Sequence, residues 1–203
     1  MITPNLLRID ASGRYHQSMS RQLTDYLIDH LQRLYPDARV ITRDLAQGLP
    51  YLDEEMIIAY NTPEEKRTSN QKELLQISDE LVEELKVTDI LVIGVPMYNF
   101  TIPATLKAYL DLVVRSRLTF RYTENGPKGL LSDKKTYILA TTAGTKLFGP
   151  LDYMSDYLRH ILGFMGIHDV EIIAADGLIK GGEGKIAAIY RQIDTLITEF
   201  QAL

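Results

Sequence analysis

The chain has 203 residues, 45% of them hydrophobic and 24% charged, enough for one well-packed globular domain. Its formal net charge of -5, with no basic tail or basic helix to offset it, argues against general nucleic-acid binding. It has no cysteine, which excludes disulfides, thiolate catalysis and thiolate-bound metal.

The first ten residues, MITPNLLRID, hold neither a basic n-region nor a long apolar core, so no signal peptide is expected. No stretch approaches the ~20 apolar residues of a membrane span. The expectation is therefore a cytoplasmic protein with no membrane partner. His16, His30, His160 and His168 are scattered without ligand spacing, and no metal site is expected.

In chain order, residues 5–10 read as a first strand and 11–17 as a polar loop. A helix is predicted over 18–34, with Leu23, Leu27, Leu31 and Leu34 at helical spacing. Pro36-Asp37 ends it, 39–44 is a second strand, and 45–63 is irregular or a short helix. Residues 64–86 read as one long amphipathic helix with Leu74, Ile77, Leu81 and Leu85 on one side.

The apolar run Ile90-Leu91-Val92-Ile93 is too short for most helices and rich in β-branched residues, so it reads as a strand buried on both faces. Pro96, with no N–H to give, is expected to stop it. A polar-aromatic turn follows, Met97-Tyr98-Asn99-Phe100-Thr101. Pro103 then suits the first turn of a helix carrying Leu106, Leu110 and Val113.

Residues 118–132 break the rhythm. Thr119, Phe120, Arg121 and Tyr122 favour extended backbone and Asn125-Gly126 favours a tight turn, so a hairpin is expected near 119–131. A fourth strand is predicted over 135–141, a helix over 150–164 and a fifth strand over 170–174. The closing helix is placed at 184–200, with Ile186, Ile189, Ile193, Leu196 and Phe200 inward. Gly181-Gly182-Glu183-Gly184-Lys185 lacks the spacing of a phosphate loop and reads as a turn before that helix.

Strands alternating with helices call for an α/β fold: a five-stranded parallel sheet, order 2-1-3-4-5, with helices on both faces and the hairpin inserted. In such a sheet the loops after strands 1, 3 and 4 meet at the carboxyl edge, where ligands bind. The first loop holds Ser12, Ser18, Met19 and Ser20, beside a helix N-terminus whose free N–H groups favour an anion; Ser18 alone also reads as a plain N-cap. Arg14 lies in the same loop, facing a phosphate or simply solvent.

The second loop, Pro96-Met97-Tyr98-Asn99-Phe100, offers two aromatics and an amide, as a ring platform or as packing around a turn. The third, Thr142-Ala143-Gly144-Thr145, is by itself a generic turn. Together the three describe a mononucleotide site suited to a flat tricyclic ring. No GxGxxG follows the first strand, so a dinucleotide site is unsupported.

The segments Pro96–Phe100 and 119–127 (TFRYTENGP), with Leu106, Lys107 and Asp111, strongly resemble the FMN-dependent NADH:quinone oxidoreductases known as azoreductases. The likeness also takes in Ala11-Ser12, Ser18-Met19-Ser20-Arg21 and the 162–167 stretch (LGFMGI). It implies a flavodoxin-like fold and a homodimer with FMN near the subunit interface. Ser12, Ser18, Met19 and Ser20 would hold the phosphate end, and Pro96, Met97, Tyr98, Asn99 and Phe100 would wrap the ring. Thr142, Ala143, Gly144 and Thr145 would face its pyrimidine edge.

Phe120, Tyr122 and Asn125 would shape a pocket for flat acceptors, quinones and azo compounds. NADH would be the donor, with NADPH left open because no basic pair stands out for a 2′-phosphate. Many relatives carry Ser-Arg-Gly-Gly and a nearby histidine in the third loop; here that arginine and histidine are missing. Thr142, the Gly144 N–H and Lys146 become the candidates to stabilise the reduced ring. The implied reaction is two-electron, ping-pong hydride transfer through flavin N5, with no protein residue singled out as catalytic. A flavodoxin-type electron carrier is the alternative.

Overall fold

The computed structural model describes residues 3–201, apart from the side chains of 179–183 and 199–201. In chain order its strands are β1 (Asn5–Asp10), β2 (Arg39–Asp44), β3 (Ile90–Pro96), β4 (Phe120–Thr123), β5 (Gly126–Gly129), β6 (Lys135–Thr141) and β7 (Val170–Ala175). Its helices are α1 (Met19–Leu34), α2 (Glu54–Asn61), α3 (Ser69–Val87), α4 (Ala104–Val113), α5 (Ser155–Met165) and α6 (Leu178–Gln201).

Five parallel strands form the main sheet in the order β2-β1-β3-β6-β7, while β4 and β5 pair antiparallel as a separate hairpin. Renumbered without the hairpin, this is the expected order 2-1-3-4-5. Register follows burial: Leu6 lies beside Ile90, and Ile93 beside Ile138. The central strands β3 and β6 are buried along nearly their whole length, whereas the edge strand β2 is not. Two-sided burial of this kind is what apolar runs without alternation signify.

Alternate residues feed two cores. On one face Leu7, Ile9, Leu91, Ile93 and Ile138 pack with Leu81 and Leu85 of α3, Leu106 and Leu110 of α4, and Leu158 and Leu162 of α5. On the other, Leu6, Val92, Tyr137 and Leu139 meet Leu23, Leu27 and Leu31 of α1 and Ile189 and Ile193 of α6. The side chain of Phe200 lies outside the described residues.

Several boundaries differ from expectation. The long helix at 64–86 is two elements, a single 3-10 turn at Glu64–Lys66 and then α3. Thr68 separates them by capping: its hydroxyl accepts from the Gln71 amide while the Gln71 side chain accepts from the Thr68 amide. That Thr-x-x-Gln box was in the sequence and outranks the hydrophobic period. The buried stripe of α3 runs through Leu75, Ser78, Leu81, Val82 and Leu85; Leu74 and Ile77 are only half-buried. One boundary falls where expected: β3 stops at Pro96, its last paired residue, beside Thr141.

Helix α5 begins at Ser155 rather than 150, because the Asp152 carboxylate takes the amides of Met154 and Ser155. The closing helix begins at Leu178, so the glycine-rich run at 181–185 is helical backbone and not a turn. The turn comes earlier, at Gly177, whose φ of 60° needs no Cβ to accommodate.

The hairpin is docked, not free. Phe120 packs on Phe164 of α5 with ring centroids 4.5 Å apart, and the Leu131 amide donates to the Met165 carbonyl. At its base the Thr119 hydroxyl donates to the Val113 carbonyl at 2.7 Å and accepts from the Arg115 amide at 2.9 Å.

One buried group is unsatisfied in α4. Among the described residues the Tyr109 hydroxyl has no partner, and burial pushes its phenol well above the ordinary range. Removing a desolvated, unbonded hydroxyl should help. Tyr109→Phe is expected to raise stability by about 1 kcal/mol, roughly 2–4 °C in Tm by calorimetry; a lower Tm would show that the hydroxyl is bonded in solution.

Candidate functional site

A cleft of about 400 Å³ opens at the carboxyl edge of the sheet, lined by Ser12, Ser18, Met19, Pro96, Met97, Tyr98, Thr142 and Ala143 among others. A smaller recess of about 210 Å³ adjoins it and shares Met97, Thr142 and Ala143; Asn99, Phe100, Gly144 and Thr145 complete its walls. The three expected loops therefore meet. Arg14 and Gln17 also face the cleft, as do Leu178 and Ile186 from α6. Leu178 follows the fifth strand, which ends at the same edge; a parallel sheet implies that fourth loop as much as the other three.

At the first loop Ser18 occupies the N-cap position of α1, yet its hydroxyl makes no bond to the helix's first amides. It lies instead 3.3 Å from the Ser20 hydroxyl. Among the described residues the Met19, Ser20 and Arg21 amides have no hydrogen-bond partner. Ser18 is thus the N-cap by position but not through its side chain, which leaves a helix N-terminus with open donors and a positive dipole end. Ser20 itself is buried beneath the loop and does not line the cleft.

At the second loop the Tyr98 and Thr101 backbones bond each other reciprocally, at 2.9 and 3.1 Å. Asn99 and Phe100 between them have φ of 48° and 70°, a primed two-residue turn that ordinarily takes glycine second. A bulky residue held there stores roughly 1–2 kcal/mol of strain. Phe100 is nonetheless 47% exposed, so core burial does not compensate for it. Gln17 and Phe148 are also left-handed, and both sit in loops at this same edge. Four of the five left-handed non-glycine residues among those described thus lie at the edge that holds the cleft; the fifth, Arg117, is at the base of the hairpin.

The third loop is more than a generic turn. The Thr142 amide donates to the Ala175 carbonyl, and its hydroxyl donates to the Thr145 carbonyl and accepts from the Gly177 amide. The Ala143, Gly144 and Thr145 amides have no hydrogen-bond partner among the described residues. Asp176 supports the loop from behind, accepting from the Leu147 amide and pairing with Lys185 at 2.6 Å. Burial alone would raise the Asp176 carboxyl, but these bonds and the nearby Lys146 hold it below the usual range. Asp152, bonded by Ser155 and three amides, is held low in the same way against its burial.

The pocket residues expected on the hairpin fall elsewhere. Phe120 is buried against Phe164, while Tyr122 and Asn125 are exposed; none of the three lines this chain's own cleft. Among the described residues no cluster of three or more His, Asp or Glu is placed to hold a metal, and no helix is long and apolar enough to cross a membrane.

A family model described as flavodoxin-like fold matches residues 4–197. The chain belongs to the flavodoxin-like family. Within that family it is 47% identical to FMN-dependent NADH:quinone oxidoreductase 1 of Hahella chejuensis, over 93% of this chain and 92% of the relative. It is 49% identical to FMN-dependent NADH:quinone oxidoreductase 1 of Colwellia psychrerythraea, over 94% and 98%. Among solved structures, an azoreductase from Bacillus anthracis superposes with a TM-score of 0.88 at 26% identity, covering 98% of this chain and all of that one (100%).

As in other flavodoxin-like sheets, the site stands where β1 and β3 part, the point at which the strand order reverses. The open α1 amides, the strained aromatic turn and the third-loop amides suit, in turn, the phosphate, ring and pyrimidine edge of a flavin mononucleotide.

Proposed function

We propose that this chain is an FMN-dependent NADH:quinone oxidoreductase that also reduces azo compounds. The observation that carries the reading is Ser18, an N-cap that does not cap, opening an anion site beside an aromatic turn held against its backbone preference. When bound, FMN would supply the redox chemistry: hydride acceptance from NADH at N5 and two-electron reduction of a flat acceptor.

The protein's part is to hold and expose. Ser12, Ser18 and the α1 amides bind the phosphate, and Met97–Phe100 positions the ring. The Ala143, Gly144 and Thr145 amides stabilise negative charge at the pyrimidine edge, as preorganised donors do. Donor and acceptor use the same open cleft in turn, and the proton that must accompany hydride to the acceptor comes from water in that cleft. The working location is the cytoplasm, where NADH is available.

A second copy of the chain completes the pocket. Tyr122 is 73% exposed and lines no part of its own cleft, so it reaches a ring only if presented by a partner subunit. Phe148, Leu151 and Tyr153 lie exposed along the segment whose Tyr153 amide bonds the Phe100 carbonyl, an apolar rim that a second copy would cover. A monomer in sedimentation would overturn this part.

The deciding measurement is the visible spectrum before and after anaerobic NADH. Flavin absorbance should bleach with NADH and return on adding a quinone. Flavin that stays oxidised would favour an electron carrier, and failure to bind added FMN would sink the site. Tyr122→Ala is expected to raise the acceptor KM about tenfold with flavin still bound; unchanged kinetics would remove Tyr122 from the pocket. Phe100→Gly is expected to stabilise the flavin-free protein by about 0.5–1 kcal/mol through relief of the turn. The same change should weaken flavin binding about tenfold. Changes of the same sign in the two measurements would contradict the platform role.

A further inference from the structure

We propose that Arg21 is the positioning residue of the cleft's phosphate end: it does not bind the anion but clamps the loop that does and balances the charge beneath it. The proposal rests on the reading of that end as a phosphate site. Arg21 lies in the first turn of α1, where a cation is ordinarily unfavourable because the helix dipole is positive there. Its surroundings explain why it is tolerated.

The guanidinium is spent within the loop. Nη2 donates to the Ser12 carbonyl at 2.7 Å and to Asp44 Oδ1 at 2.5 Å, and Nε donates to the Arg14 carbonyl at 3.0 Å. Nη1 lies 3.5 Å from Asp10 Oδ2, and the group covers the Tyr15 ring at 4.8 Å. One side chain thus fixes two loop residues that face the cleft, Ser12 and Arg14, to the ends of β1 and β2.

Charge makes the second half of the case. Asp10 and Asp44 sit behind a loop meant for a dianion, and unpaired they would repel it. Asp10 is paired with Arg8 at 2.7 Å, Arg8 also meets Asp25 at 2.6 Å, and Arg21 serves Asp44 while approaching Asp10. Burial would raise the Asp44 carboxyl, but bonds from Arg21, the Ala46 amide and Tyr15 hold it below the usual range. Without Arg21 the site therefore loses its loop geometry and gains net negative charge. Lysine keeps the charge but not the fork that reaches several acceptors at once.

The test compares FMN with riboflavin, which has the same ring and no phosphate, by fluorescence titration of the flavin-free protein. Arg21→Met is expected to weaken FMN about 10- to 100-fold while moving riboflavin by less than about threefold. Arg21→Lys should fall between, at about 3- to 10-fold for FMN alone. It also carries the test if the methionine variant does not fold. Equal losses for both ligands would mean a purely structural role, and no loss would mean none; either overturns the proposal. If the unmodified protein fails to prefer FMN over riboflavin, the phosphate-site reading itself falls first.

Discussion

Gly129→Ala is expected to cost about 3 kcal/mol and to lower Tm by roughly 6–12 °C. A Cβ at that position would lie 2.2 Å from the Gly166 nitrogen and 2.4 Å from the Met165 carbonyl carbon. Both are backbone, so no side chain can rotate away. Gly166 is itself pinned, with φ at 107° and the Leu131 carbonyl 2.6 Å from where its own Cβ would stand.

Relief requires the β5 strand to lift from the end of α5, which would also loosen Phe120 from Phe164. Because the hairpin carries Tyr122, the acceptor KM should rise along with the loss of stability. Gly13→Ala, whose Cβ meets nothing within 4 Å, is the matched control. Equal melting temperatures for the two variants would show that the hairpin moves freely.

Gly94→Ala is expected to cost about 2 kcal/mol and to weaken flavin binding as well. Gly94 sits in the middle of the sheet, between Asp10 of β1 and Leu139 of β6. Its absent Cβ lets α1 approach: an added methyl would lie 2.4 Å from Thr24 Oγ1 and 3.2 Å from both the Ser20 carbonyl and Asp10 Oδ1. Thr24 could turn only by breaking its bond to the Ser20 carbonyl, and that carbonyl belongs to the first turn of the helix that opens the phosphate end.

The strain therefore reaches the site through α1. Thr24→Ala removes the nearest atom, so the double variant should recover at least half of the lost stability, a clear departure from additivity. Simple additivity of the two losses would place the strain elsewhere.

Much of this was legible in the chain. β1, β2 and β6 fall on the expected residues; for β6 the reason is that a strand buried on both faces needs only a short hydrophobic stretch, while β2 is a half-exposed edge strand. The three loops were legible for a related reason: once alternation dictates a parallel sheet, loops after successive strands have one edge on which to meet. Helix ends were less so. Thr68 and Asp152 cap through side-chain bonds that a hydrophobic period ignores, and α6 starts early because Gly177 turns the chain.

At the site, the residue types were in the sequence but their states were not. Ser18 is a common N-cap by composition, and only the fold shows its hydroxyl turned to Ser20. Arg21 is one arginine among many until Ser12 and Arg14 of the first loop and Asp44 at the end of β2 are brought around it. The hairpin was predictable from Asn125-Gly126, but its seat on α5 depends on glycines 129 and 166 meeting across 36 intervening residues.

The sequence by itself determined the sheet, its order and the edge at which its loops meet, because hydrophobic period and strand–helix alternation are local and leave one compact arrangement. Tertiary structure alone decided which donors stay open, which backbone is held left-handed and how closely α1 and the hairpin approach. Those depend on contacts between segments distant in the chain, where a few tenths of an ångström separate a fit from a clash.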